Sequence, residues 1–522
     1  MSASREKKQR QAGGPSEKTL QAQQEQTARK RKTITYTVIG VVVAVLVAAL
    51  LIWNTGVFTA GTTAATVGGE NLSVAELSYY YHNAYNAWMN ENYLYYYYLG
   101  YEIPGENDVM DSETGKTYRD YFMEQALRSA QRSAALADEA KKNGHTEAEV
   151  KESLDAQIQS LKTRAASSNI SYSAYLKVMY GSYMSAGVFE KLYTQGLLAD
   201  LVYSEKHDEL YDGYSEADLR AYYEAENHAD SMDTFEYSYL YFAPADVPEE
   251  DEKGNELDKD TVAALEKEAL AEAKAKAEEA LKALKGGGSI SSQADKYELT
   301  DNRFGNHVSV VGITSAPFTL RDKLLSMKAG GTELVEDGES GYYVVTLHGR
   351  KLAEDPTKDV RHILALAETT VDDGGNVVPP TNEAWAAAKA EIEAIRAEYE
   401  SGARTEDSFA ALANEKSDDG DGTTGGLYPK IDRNDKYVPE FLEWIFADGR
   451  KAGDTGIVQH DPGDTDNGYW GYHFMYLVGD NEPVWMRNTR DALTSEDLSA
   501  WTDELAAGYE TTLTSGAKNV TL

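Results

Sequence analysis

From Asp233 onward the sequence spells one order of elements twice, and this duplication restricts the fold more than any other feature. The first copy runs from FEYSYLYF through the helical stretch TVAALEKEALAEAKAKAEEALKAL to SAPFTLRDKLLSMKAGGTELV and closes on GYYVVTLHG. The second runs from VRHILALAE through the loop DDGGNVVPP and the helical stretch NEAWAAAKAEIEAIRAEYESG to VPEFLEWIFADGRKAGDTGIV, and closes on GYHFMYLVG. Strand, long helix, short helices and closing strands recur in that order, which predicts two tandem α+β domains, 233–353 and 356–483. Within the second, Val360, His362, Leu364 and Leu366 alternate with Arg361, Ile363 and Ala365. As a strand this sets an imidazole on the face that carries Val and Leu.

Upstream, residues 60–232 carry helical periodicity and read as an α-rich domain. Its first helix is predicted to start at Ser73, with Glu76 three residues on, a capping-box pattern. The run from Tyr79 to Tyr101 is dense in tyrosine and reads either as helix-packing core or as a surface for apolar, unfolded chain. The tail, 484–522, holds one more amphipathic helix.

The N-terminus sets the compartment. Residues 1–33 hold nine Lys or Arg against three Glu, although the whole chain carries −37. ITYTVIGVVVAVLVAALLIW follows without a charge, long enough at about 1.5 Å per residue to span a bilayer core of about 30 Å. We therefore expect a single transmembrane helix over 34–54, a cytoplasmic basic leader over 1–33 and an extracytoplasmic bulk in the cell membrane. A cleaved signal peptide is the competing reading; the long leader and long apolar run favour a retained anchor. The leader reads as a topology signal, so no nucleic-acid partner is expected. The chain has no cysteine, which excludes disulfides, thiolate nucleophiles, Cys-ligated metals and a lipid anchor on an N-terminal Cys. No HExxH, Walker or GxSxG pattern is present.

The second copy gathers RHIL, FAALANEKSDD, GGLYPK, YVPEF and GYH in order. In this it resembles the parvulin family of peptidyl-prolyl cis/trans isomerases, over about residues 356–483. The resemblance implies His362 and His473 as paired core histidines, Asp419 beside them, and a proline pocket of Tyr437, Phe441 and Phe446 with Leu427. It implies no metal and no cofactor. Read as residues alone, the histidines serve either as scaffold or in catalysis, and Asp419 as a site residue or a turn residue. GGLYPK lacks the residue usual between the Gly pair and Leu, FADGRKAG is two residues longer, and QHDPGDTDNGYW inserts a polar loop before the closing strand. The first copy is similar but degenerate: Tyr239 aligns with His362, Tyr343 with His473, and Phe318 or Leu320 with Phe441. The α-rich region and tail resemble the chaperone part of PrsA- and SurA-type extracytoplasmic foldases, whose C-terminal helix packs on the N-terminal lobe. The resemblance thus implies a membrane-anchored foldase that acts on Xaa-Pro bonds of newly secreted polypeptides, and it admits a homodimer. The alternative is a non-catalytic holdase built from the same domains.

Overall fold

A computed structural model describes residues 57–522 apart from 94, 97–98, 226, 251–254, 373–376, 421–423 and 464–467. The leader and the apolar span expected at 1–33 and 34–54 lie outside the described residues. Among the described residues no helix is long and apolar enough to cross a membrane. The chain divides into two compact units, one formed by residues up to Leu210 together with Asp497–Leu522, the other by Tyr211–Glu496.

The first unit begins with the hairpin β1 (Thr63–Val67) and β2 (Glu70–Ser73). Gly68 and Gly69 make its two-residue turn at φ +57° and +85°, the left-handed backbone that such a turn requires. Helix α1 (Val74–Glu91) starts at the capping box read in the sequence: Ser73 accepts from Glu76 N, and Glu76 accepts from Ser73 N. Val74, Leu77, Tyr81 and Trp88 recur at helical spacing and are buried, with Tyr81 and Trp88 packed around Phe122 of α2 (Tyr118–Asn143). The aromatic run therefore divides. Tyr80 and Tyr81 are core, whereas Tyr93, Tyr95 and Tyr101, beyond the helix, are more than half exposed. Helices α3 (Lys151–Ser167), α4 (Tyr172–Tyr180) and α5 (Ala186–Gly213) complete the helical part. The tail joins this unit: strand Thr511–Leu513 pairs antiparallel with β1, and Trp501 and Leu505 pack beside Leu136 and Leu198.

The second unit holds the two copies. In the first, β3 (Asp233–Phe242), α7 (Lys259–Lys285), α8 (Ile290–Tyr297), β4 (Phe304–Val311), β5 (Thr332–Glu336) and β6 (Tyr342–Leu352) follow the short helix α6 (Glu216–Glu224). In the second come β7 (Pro356–Leu366), α9 (Asn382–Ser401), α10 (Glu406–Lys416), β8 (Leu427–Ile431), α11 (Pro439–Ile445), β9 (Thr455–His460) and β10 (Gly471–Pro483). Both sheets are four-stranded and antiparallel, in the orders β4-β3-β6-β5 and β8-β7-β10-β9, so the duplication read in the sequence is a duplication of topology. A last helix, α12 (Val484–Ala507), leaves β10; its Val484 and Trp485 N–H groups donate to Asp355 and Ala353, which link the copies.

The β7 alternation sorts the second copy into two layers. Ile363 and Ala365 pack with Phe474 beneath α9 and α10, while Val360 joins Met475, Leu477, Phe441 and Ile445 on the α11 side. The turn into β8 is made by Gly425 and Gly426, at φ +64° and +65°; Gly426 O accepts from His362 N at 3.0 Å, and a Cβ on Gly426 would lie 2.2 Å from His362 O. Gly426→Ala is thus expected to cost about 2–4 kcal/mol in denaturant unfolding, from collision added to backbone strain. Gly449→Ala, at φ +80° with open space around it, is expected to cost only about 1–2 kcal/mol. Equal losses would show that close approach does not constrain the β7–β8 turn.

Candidate active site

Three elements bring the polar groups together. β7 supplies His362, β10 supplies His473, and the segment after α10 supplies Asp419. In the antiparallel register Met475 faces His362 and His473 faces Leu364, so the two imidazoles sit diagonally on one side of the sheet, both buried. Their Nδ1 atoms are 3.0 Å apart. Asp419 Oδ2 lies 2.9 Å from His362 Nε2 and accepts the Tyr428 hydroxyl at 2.8 Å. At the far end Tyr469 Oη is 3.1 Å from His473 Nε2. Asp419 is held there because the preceding residues extend the edge of β7: Leu364 N donates to Ser417 Oγ, and Leu366 N to Asp418 Oδ2.

The result is a continuous chain of hydrogen bonds from Asp419 through His362 and His473 to Tyr469. It closes with two proton arrangements. With His362 neutral, Nε2–H donates to Asp419, His473 Nδ1–H donates to His362, and the Tyr469 hydroxyl donates to His473. With His362 charged, both its nitrogens donate, and the bonds beyond it reverse. The bond from His362 holds the Asp419 carboxyl down at about 2, helped by Tyr428. Burial, with the neighbouring His362 and His460, lowers His473 to about 3, so its ring is neutral near pH 7. Burial raises Tyr428, as does its bond to the Asp419 carboxylate, and burial pushes Tyr469 up to about 12, keeping both phenols protonated.

Above these groups opens a cleft of about 420 Å³. Phe441 forms its base, edge-on to both His362 (5.4 Å between centroids) and His473 (5.6 Å), and Tyr437 stacks on Phe441 at 5.4 Å with 27° between planes. Leu364, Leu366 and Val438 add apolar wall. Of the residues predicted from sequence, His362, Asp419, His473, Tyr437 and Phe441 line this cleft; Leu427 and Phe446 do not. Leu427 pairs with Arg361, whose side chain bonds Glu406 and the Thr424 and Gly425 carbonyls, so it belongs to the opposite face; Tyr428, one residue on, takes the cleft position. Phe446 follows the end of α11, stacks on the Arg433 guanidinium at 4.6 Å, and supports the apolar cluster from outside. Tyr428, Tyr469 and Lys436 were not identified from sequence. Tyr428 was signalled by the strand period, and Tyr469 lay inside the polar insertion.

The first copy has the same frame with different contents. Val345 pairs with Tyr239 and Tyr343 with Tyr241, as Met475 pairs with His362 and His473 with Leu364. Tyr239 and Tyr343 thus occupy the two imidazole positions, their rings 5.8 Å apart. Leu320, buried with Tyr237, Val345 and Leu347, takes the position that Phe441 takes among Val360, Met475 and Leu477, whereas Phe318 is 83% exposed; the aromatic floor is thus an aliphatic one in the first copy. Among the described residues no cluster of His, Asp and Glu could hold a metal ion.

An aromatic seat beside a carboxylate held by His362 and Tyr428 suits rotation of a bond about a bound ring. Residues 362–477 match the model of the PPIC-type PPIASE domain, and residues 214–361 match a second model of the same description. The chain belongs to the parvulin, or PPIC-type, peptidyl-prolyl isomerases. It is a peptidyl-prolyl cis/trans isomerase with two tandem parvulin domains. None of the curated proteins matches the chain significantly. Solved structures similar to it include a peptidylprolyl isomerase PrsA from Bacillus anthracis (14% identity, 43% of this chain and 79% of that one, TM-score 0.20). Others are a peptidylprolyl isomerase PrsA from Bacillus cereus (12%, 80% and 94%, TM-score 0.17) and a foldase protein PrsA from Streptococcus pneumoniae (12%, 59% and 91%, TM-score 0.18). At those scores the likeness adds no argument to the family match.

The neutral His473 has a consequence for stability. Its folded pKa lies below the unfolded value of about 6.5, so the unfolded chain takes the proton first and stability falls as pH drops from about 6.5 toward 3. His473→Gln is expected to lose that share of the slope. Denaturant unfolding of both proteins at about pH 7, 5.5 and 4 measures it; parallel pH profiles would mean that His473 is not held neutral.

Proposed function

We propose that this isomerase is a membrane-anchored extracytoplasmic foldase. Its second parvulin domain turns over Xaa-Pro bonds of newly secreted polypeptides, its first binds without turnover, and its helical unit holds unfolded segments. The observation that carries the reading is the junction of the Phe441–Tyr437 seat with the Asp419–His362–His473 chain in one cleft.

Rotation about an Xaa-Pro bond faces a barrier of about 18–20 kcal/mol, set by amide resonance, and breaks no covalent bond. The planar amide places negative charge on oxygen and positive charge on nitrogen; twisting withdraws both. A proline ring seated on Phe441 and Tyr437 would be held while the preceding carbonyl turns. The Asp419 carboxylate, fixed by His362 and Tyr428, then sits where it disfavours a charge-separated planar oxygen relative to the twisted form. Binding the twisted amide better than either planar form is what accelerates the rotation. In this reading the two histidines position Asp419 and the sheet.

The first copy supports binding without turnover, because tyrosines replace both imidazoles and, among the described residues, no carboxylate–imidazole pair faces them. The exposed Tyr93, Tyr95, Leu99 and Tyr101 support a chaperone surface, since large aromatic area left in water favours apolar, unfolded chain. They also favour the second reading, a holdase in which the isomerase site is silent. The uncharged run at 34–54, flanked by the basic leader, supports the anchor.

Exchange NMR of short Xaa-Pro peptides with the full chain tests the site. Phe441→Ala is expected to lower kcat/KM by about 100-fold, and also to cost about 3–5 kcal/mol of stability because that ring is buried. Tyr437→Ala, at a ring 37% exposed, is expected to lose about 10-fold with little effect on stability. No acceleration by the folded wild-type chain would leave the holdase. Activity retained in a folded Phe441→Ala chain would assign turnover to the first copy. For the anchor, the full chain is expected in the membrane fraction after an alkaline wash, and a chain lacking residues 1–56 in the supernatant; the reverse would remove the proposed span.

A further inference from the structure

The cleft carries one charge that the isomerase chemistry does not use. Lys436 lines it from the turn between β8 and α11, immediately before Tyr437. It is the only Lys or Arg that lines the cleft among the described residues, and among them its ammonium has no hydrogen-bond or ion-pair partner.

The acids around it are already engaged. Asp435, next in sequence, accepts from Arg487 Nη1 and from Asp432 N, each at 2.8 Å. Asp432 faces Arg487 at 3.7 Å. Glu440 faces His460 at 3.4 Å, and the Asp419 carboxylate is taken by His362 and Tyr428. The bonds to Arg487 fix the turn and hold the Lys436 backbone at the rim, so the lysine is presented to the cleft by built structure. In a chain of net charge −37, a lysine that meets no acid among the described residues, beside an apolar seat, is a site for an acid brought by a ligand.

We infer that Lys436 is a specificity-determining residue that favours clients with an aspartate or glutamate flanking the proline. The inference rests on the reading of this cleft as the isomerase site. A proline on the Tyr437–Phe441 seat places its neighbouring side chains within reach of the flexible lysine stem. A partly exposed pair of this kind changes relative affinity by only a few-fold, so the effect is one of preference among clients. It acts against the general pull of an acidic protein on basic peptides, and the comparison must therefore be between variants.

The experiment uses the full chain and three peptides in which proline is flanked on both sides by Glu, by Ala or by Lys. Exchange NMR gives kcat/KM for each. The Glu-to-Lys ratio is expected to fall about three-fold in Lys436→Ala and further in Lys436→Glu, and the difference between variants to shrink as salt is raised. A ratio unchanged in Lys436→Glu overturns the inference while leaving the site in place. If the wild-type chain accelerates none of the three peptides, the reading of the cleft falls, and the inference with it.

Discussion

The register between β7 and β10 is the constraint on which the cleft depends. Because side chains alternate along a strand and cross-strand partners share a face, a slip of one residue between β7 and β10 would put His362 and His473 on opposite faces of the sheet, one of them under α9 and α10. Ile363 or Phe474, depending on which strand turned, would take the vacated place over the cleft. The apolar pattern enforces the register, since slipping would also turn either Val360 or the pair Met475 and Leu477 out of their cluster with Phe441 and Ile445. Packing on both sides of one sheet thus fixes where the polar chain forms. The chain in turn satisfies the buried imidazoles, whose nitrogens would each cost about 1–3 kcal/mol if left unpaired.

The two copies show how separable these requirements are. Both have the same strand order, and in both a long helix covers one face with short helical segments on the other. In the first copy, tyrosine rings fill the positions of the imidazoles, and the Tyr239 hydroxyl donates to the Asn302 carbonyl at 3.2 Å. A phenol needs one partner for its single polar atom, and it can reach the edge of the sheet to find one. An imidazole buried mid-sheet needs partners on both sides, which only the second copy provides.

Much of this was legible in the sequence because the relevant signals are periodic. The duplication, the inward His362 and the Ser73–Glu76 cap follow from spacing alone. Leu427 lies one residue before the cleft position, since the face it takes is set by the Gly425–Gly426 turn, which brings it opposite Arg361. Phe446 misses the cleft for a related reason: α11 ends at Ile445, so the five-residue step from Phe441 does not continue a helical face. Tyr469 was hidden in an insertion whose composition reads as solvent-exposed loop. Nothing in the tyrosine-rich run marks where α1 stops, so the division into buried and exposed rings needed the fold.

The pairing of Thr511–Leu513 with β1 gives the first unit a discontinuous sequence, with the whole of the second unit inserted between its parts. A ribosome makes β1 and β2 more than 430 residues before the strand that completes their sheet. The inserted domains have all of their strands by residue 483 and can form while the tail is still being synthesised. The helical unit cannot close its sheet until residues 511–513 arrive, and that closure spans more than 430 residues, the slow kind of contact to make. Its β1 edge, until then, is an open strand.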